Sequence, residues 1–217
     1  MKICSVTVPF NRAITLLTTI DPVLQLNSIN LEYIVVDCAS TDGTVPLLEF
    51  YMQQFAGRMK WISEPDKGIY DAMNKGIRMA TGDIVGIINS DDFYHRTDVL
   101  SRVAEAFEEP GVQAVYGDVR FVHPGDLDQT IRYYSSKVFS PKLFRYGFMP
   151  AHPTFFTYKK YFEEFGYYET NYKIAADYEL LVRFLYVHNL QAKYLPLDFI
   201  KMRTGGVSTA SVRSHIL

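Results

Sequence analysis

The sequence predicts an α/β fold, with a mostly parallel central sheet flanked by helices. Two continuous apolar runs, Tyr33–Val36 and Ile84–Ile88, have the character of strands buried on both faces. Amphipathic stretches of helical spacing separate the strand-like runs over residues 1–120, as right-handed βαβ crossovers require. Polar segments, most of them acidic, directly follow these strands, where ligands bind in such sheets.

Each element has its own signal. Lys2 to Val8 is a short β-branched run stopped by Pro9. After Tyr33–Val36, Asp42 is placed to cap a helix whose inner stripe is Leu47, Leu48, Tyr51 and Phe55, closed by Gly57. Lys60–Ser63 reads as a strand, and Ile69, Met73, Ile77 and Ala80 line the next helix, which ends at Gly82. Ile84–Ile88 then runs straight into Asn89-Ser90-Asp91-Asp92. Val99, Val103 and Phe107 mark a further helix before Pro110-Gly111, and Val112–Val122 contains another strand. Beyond Val122 the alternation breaks down into polar turns and an aromatic, irregular stretch. Helices are expected from Lys159 to Phe165, ended by Gly166, and from Ala176 with Leu180, Leu181, Phe184 and Leu185 inward. The tail Arg203–Ser208 reads as polar and flexible. No repeat or linker interrupts the chain, so 1–217 is read as one domain, with a ligand-binding half (1–120) and an irregular half (121–217).

Composition narrows the function. Apolar residues make up 48% and charged residues 21%, enough for a real core. A net charge of −2, from 22 basic and 24 acidic residues, excludes a nucleic-acid binder that works through bulk electrostatics. The apolar runs fall far short of the roughly 20 residues of a membrane span. Met1–Val6 has one basic residue and then reads as a strand, which predicts no signal peptide. Cys4 and Cys38 read as small buried hydrophobes, in keeping with a reducing, cytoplasmic setting.

The strand ends carry the chemistry. Asn89-Ser90-Asp91-Asp92 offers oxygen ligands to a hard divalent cation, leaving room for substrate phosphates, although the same residues also favour a turn. Asp37 can accept hydrogen bonds from a base or ribose. Asp66 and Lys67 lie in the loop leading to the helix on which Asp71 and Asn74 share a face. Lys67 can balance phosphate charge or simply be solvated.

In this order the motifs resemble glycosyltransferase family 2 of the polysaccharide-biosynthesis type, whose members have the GT-A fold. Pro9-Phe10-Asn11 is similar to the opening motif, with Phe10 in place of the commoner Tyr. Val35 to Thr44 resembles the second motif, whose first Asp, here Asp37, meets the nucleotide base. Glu64 to Gly76 is similar to the next segment. Ala80-Thr81-Gly82-Asp83 and Asn89-Ser90-Asp91-Asp92 resemble the helix end and the D-x-D metal motif, with Asn89 replacing the first Asp. Gly205-Gly206-Val207-Ser208 completes the series. The resemblance implies a nucleotide-sugar site built from Pro9, Asn11, Asp37, Asp66, Lys67, Asp71, Asn89, Ser90 and Asp91, with Asp91 the direct ligand of Mn²⁺ or Mg²⁺.

The second half is expected to carry the acceptor site. His152, set between Pro150-Ala151 and Pro153, is read either as an acceptor contact or as a structural residue. Asp177 at a helix start is by itself a helix-terminal acid. The resemblance makes it the general base that deprotonates the acceptor hydroxyl, with Ala176 where the family has Glu. It implies inverting transfer from a nucleotide sugar, by default a UDP-sugar, to a saccharide or polyprenyl-linked acceptor. Three readings stand for Tyr133–Phe148: an acceptor groove, a surface facing the inner side of the plasma membrane, or core. Two rivals remain. A sugar nucleotidyltransferase is opposed by the lack of a Gly-rich, Arg-Lys phosphate loop near the N-terminus. A non-catalytic nucleotide-binding scaffold is opposed by the presence of both Asp91 and Asp177.

Overall fold

The computed structural model describes residues 1–26 and 30–205. Three βα units open the chain: β1 (Ile3–Thr7), α1 (Ala13–Leu24), β2 (Leu31–Asp37), α2 (Thr44–Gln54), β3 (Met59–Ser63) and α3 (Ile69–Met79), followed by β4 (Ile84–Ile87). These strands pair in parallel in the order β3-β2-β1-β4. The two apolar runs are buried because helices cover both faces. Ile3, Tyr33 and Val35 pack with residues of α1, α2 and α4 (Val99–Phe107). Cys4, Val6, Ile34 and Val36 pack with residues of α3 and α6 (Ala176–Val182). Gly76 lets α3 approach β1 closely, since a Cβ there would lie 2.3 Å from Val6 Cγ1.

The second half extends the same sheet with mixed pairing. Between β5 (Phe93–Tyr94) and the C-terminus come β6 (Ala114–His123), β7 (Asp126–Tyr134), β8 (Phe156–Tyr158), α5 (Lys159–Phe165) and β9 (Ala192–Arg203). The order continues β4-β8-β6-β9-β5, with β7 on the far part of β6. Strand β8 is antiparallel to both β4 and β6, while β9 runs parallel to β6.

Several elements go beyond what the sequence announces. Helix α1 is threonine-rich and holds Pro22 inside it, so its propensity is weak and tertiary packing of Leu16, Ile20 and Val23 sustains it. The polar turns expected after Val122 are instead a hairpin whose second strand, β7, is exposed along most of its length and so lacks apolar alternation. Strand β9 contains Pro196 and pairs through register shifts, both of which blur a strand signature. Arg203, expected in a flexible tail, ends β9. The Gly206-Val207-Ser208 part of the last motif lies outside the described residues.

Asp42 does more than cap one helix. Its Oδ1 accepts from the Thr44 N–H at 2.9 Å and its Oδ2 from the Ala13 N–H at 3.1 Å, which ties the starts of α2 and α1 together. Cys4 is fully buried and Cys38 half-buried, and both are free thiols. Burial, reinforced by Glu32, pushes the Cys4 thiol up to about 12.

Candidate active site

The carboxyl ends of β1, β2 and β4 open onto a cavity of about 740 Å³. Its wall includes Phe10, Arg12, Cys38, Asp66, Asn89, Ser90, Asp91 and Arg203. A second cavity of about 340 Å³ adjoins it, lined by Tyr70, Arg132, Tyr134, His152 and Asp177 among others. Ile69, Asn89 and Met202 line both, so the two chambers meet over Asn89.

The turn after β4 sorts its acids into different jobs. Asp92 is 1% exposed; its Oδ2 accepts from Asn89 Nδ2 at 2.8 Å and its Oδ1 from the Arg203 N–H at 3.3 Å. Burial, reinforced by neighbouring Asp91, pushes its carboxyl up to about 8 against these two partners. Asp91 faces the first cavity and its carboxylate makes no hydrogen bond among the described residues. Arg203 crosses from the end of β9, donating to the Asp91 carbonyl and to Thr18 Oγ1 and stacking over Phe93 at 5.3 Å.

The loop from β3 to α3 supplies a second acid. Asp66 Oδ1 accepts from the Gly68 N–H at 2.7 Å, and its buried Oδ2 has no hydrogen-bond partner among the described residues. Gly68, at φ 120°, allows the turn from this loop into α3. Asp71 Oδ2 holds the Lys67 N–H at 3.0 Å, so Asp71 braces the loop from behind, and Lys67 stays exposed off the cavity wall. Asn74 is buried and clamps the Tyr168 backbone with both amide atoms, at 2.8 and 2.9 Å.

Asp37 lies behind the wall. Fully buried, it accepts from Ser40 N–H at 2.9 Å, from Ser40 Oγ at 2.5 Å and from Ser63 Oγ at 2.6 Å, fixing the Cys38–Ser40 turn that forms part of the cavity wall. Pro9 accepts the Cys38 N–H, and Asn11, at φ 50°, bonds Ser40 and Thr41. These residues shape the rim without lining the cavity. Of the nine residues expected in the nucleotide-sugar site, Asp66, Asn89, Ser90 and Asp91 line it directly.

In the second chamber, Tyr70 Oη lies 3.4 Å from Asp177 Oδ1 and its ring stacks on Tyr168 at 5.7 Å. Burial and the Asp177 charge push the Tyr70 phenol up to about 12, so it remains a donor. His152 is buried, with Nε2 2.5 Å from Tyr168 Oη. Burial lowers its imidazole pKa, with Asp177 opposing. Sequence reasoning missed Arg12, Tyr70, Tyr168 and Arg203 as site residues. Arg12 and Tyr70 sit within or beside the quoted motifs, so position relative to a strand end was the available signal.

A group of three or more His, Cys, Asp or Glu side chains able to hold a metal is absent among the described residues. The donor set nonetheless fits a cation that takes one carboxylate from protein and the rest of its shell from phosphates. Three acids line the cavity: Asp92 is occupied by Asn89 and the Arg203 N–H, which leaves the Asp91 carboxylate and Asp66 Oδ2, both without a hydrogen bond among the described residues, for that role.

A sheet of this order, with paired chambers at its strand ends, has the architecture of the GT-A fold. The comparisons agree. The model of "Glycosyl transferase family 2" matches residues 5–166, and the chain belongs to that family. It is 27% identical over 223 residues to a PGL/p-HBAD biosynthesis glycosyltransferase of Mycobacterium tuberculosis, covering 98% of this chain and 82% of that protein. The fold is that of S. aureus TarS 1–349 in complex with UDP-GlcNAc (TM-score 0.76, 16% identity, 98% of this chain). It is also that of a Pyrobaculum calidifontis mannosyltransferase, PcManGT, in complex with GDP-Man and Mn²⁺ (TM-score 0.68, 20% identity, 90% of this chain). The chain spans 61% and 55% of those two structures' own lengths.

Proposed function

We propose that this glycosyltransferase moves a sugar, with inversion, from a UDP-sugar to a hydroxyl of a saccharide or polyprenyl-linked acceptor, on the cytoplasmic side of cell-surface polysaccharide synthesis. One observation carries the reading: two chambers meet at Asn89, with the free Asp91 carboxylate on one wall and Asp177 on the other. The nucleotide lies over Phe10, Cys38 and Ala39, and the base reaches the buried Asp37 carboxylate by displacing a serine hydroxyl from it. Arg12 and Arg203 balance phosphate charge. Held by Asp91, Mn²⁺ or Mg²⁺ would neutralise charge that builds on the departing diphosphate. Asp177 takes the proton of the acceptor hydroxyl, which attacks the anomeric carbon from the face opposite the nucleotide. Tyr70 keeps Asp177 oriented, and His152 borders the acceptor. The single nine-stranded sheet of the described residues, running from Ile3 to Arg203, supports reading the chain as one domain.

UDP and UDP-GlcNAc complexes of TarS support the donor choice, and the GDP-Man complex of PcManGT makes GDP the arm to compare. Calorimetry of UDP, GDP, CDP and dTDP, with and without Mn²⁺, tests the reading. UDP binding strengthened by Mn²⁺, with that dependence lost in Asp91→Ala, is the expected result. Unchanged Mn²⁺ dependence in the variant would remove Asp91 as a ligand, and no binding of any nucleotide would end the transferase reading.

A further inference from the structure

Charge is unevenly laid along this chain. Between Asp128 and Glu163 there is no acidic residue, although the whole chain has a net charge of −2. The middle of this interval, residues 136–149, is two-sided. Its inner side is aromatic: Phe139 packs against Phe144 at 5.1 Å and Tyr116 at 5.7 Å, and Phe144 packs against Tyr178 at 5.6 Å. Tyr178 Oη also donates to the Phe144 carbonyl, which pins the segment beside Asp177. The outer side is Lys137, Val138, Lys142, Arg145 and Tyr146, all exposed, with Val138 at 72% and Tyr146 at 76%. None of these three cations is ion-paired among the described residues.

We propose that this outer face docks on an anionic lipid surface. Unpaired Lys and Arg are attracted to the negative surface potential, and each contributes independently near the membrane. The exposed Val138 and Tyr146 favour a lipid interface over nucleic acid, because an apolar side chain and an amphipathic ring gain by entering the headgroup boundary. The placement has a consequence for the site. Gly147 and Met149, at the end of the same segment, line the chamber that holds Asp177, so docking brings that chamber to the membrane surface. The inference rests on the transferase reading only for its purpose, since the binding measurement needs neither donor nor turnover.

The test is co-sedimentation with vesicles of phosphatidylcholine alone and of phosphatidylcholine mixed equally with phosphatidylglycerol. Binding is expected only to the anionic vesicles, and it should weaken with added salt. The triple variant Lys137→Glu, Lys142→Glu, Arg145→Glu should lose roughly 100-fold in partitioning with an unchanged melting temperature. If that variant is unstable, Val138→Ser with Tyr146→Ser serves in its place and should also weaken binding. Wild-type protein that ignores anionic vesicles, or a stable triple variant that binds them as well as wild type, would overturn the proposal. So would a wild-type dimer that the triple variant converts to monomer without any vesicle binding, which would assign the face to a second copy of this chain.

Discussion

The Tyr70 hydroxyl of α3 stands 3.4 Å from Asp177 Oδ1 at the start of α6, joining the first half of the chain to the second across the smaller chamber. Asp177 therefore faces a chamber with a phenol to orient it, which a mere helix-terminal acid does not require. Asp177→Asn keeps the size and helix-start preference of the side chain but cannot take a proton. Transfer should fall by about 10²–10⁴, while UDP affinity stays near wild type. Substantial turnover by the variant would remove Asp177 as the base.

Asp37 should show two effects at once. Loss of its carboxylate leaves Ser40 and Ser63 without their acceptor, so the melting temperature of Asp37→Ala should drop. Loss of a charged hydrogen bond to the base should also cost about 1.5–3 kcal/mol, or roughly 10- to 150-fold in UDP affinity. Ser63→Ala provides the control, with lower stability and near-normal affinity. If Asp37→Ala binds UDP as tightly as wild type, the carboxylate only holds the turn.

Stability in acid should depend on Glu32. Burial pushes this carboxyl up, but hydrogen bonds from Cys4, Lys60 and Thr81 outweigh that effect and hold it at about 2, below its ordinary 4.5. A carboxyl whose pKa is lower when folded than when unfolded contributes stability in full above about 4.5 and loses it as pH falls towards 2. The Glu32→Gln variant should melt lower at neutral pH, and its melting profile should be flatter across that acid window. Parallel profiles for the two proteins would count against the role.

The contact between α3 and β1 sets a tight steric limit. Gly76→Ala puts a methyl group 2.3 Å from Val6 Cγ1, where neither element can yield easily. Overpacking of this kind should cost about 1–3 kcal/mol, read as a fall of roughly 2–4 °C in Tm per kcal/mol for a chain of this size. A Tm equal to wild type would mean that α3 can shift freely, and the loop carrying Asp66 would then be less firmly placed than its hydrogen bonds suggest.

Much of the frame was legible in the sequence. Tyr33–Val36 and Ile84–Ile88 are apolar without alternation because helices cover both faces of the sheet, and that cause leaves its mark residue by residue. The order of the motifs located the cavity wall at Asp66 and at Asn89 to Asp91, because a parallel sheet brings its strand ends to one edge. Among the elements that went unread, α1, β7 and β9 carry Pro22, a solvent-exposed pattern and Pro196 respectively, and β5 and β8 are only two and three residues long. Helix α1 and strand β9 are held by partners far along the chain, β5 and β6, and β7 by its hairpin partner β6, rather than by their own periodicity.

Asp91 and Asp92 show where sequence stops deciding. They are adjacent, chemically identical and both on the cavity wall, and nothing local says which one is buried and hydrogen-bonded and which is left free. That was settled by Asn89 and by Arg203, whose backbone N–H reaches Asp92 from 111 positions further along the chain. The same holds for Asp177, which faces a chamber because Tyr70 and His152 arrive from other elements. Residue type and spacing therefore determined the edge of the sheet at which these acids gather. The role of each acid was decided by long-range packing, because burial and hydrogen-bond partners, which set its charge and direction, come together only in the folded chain.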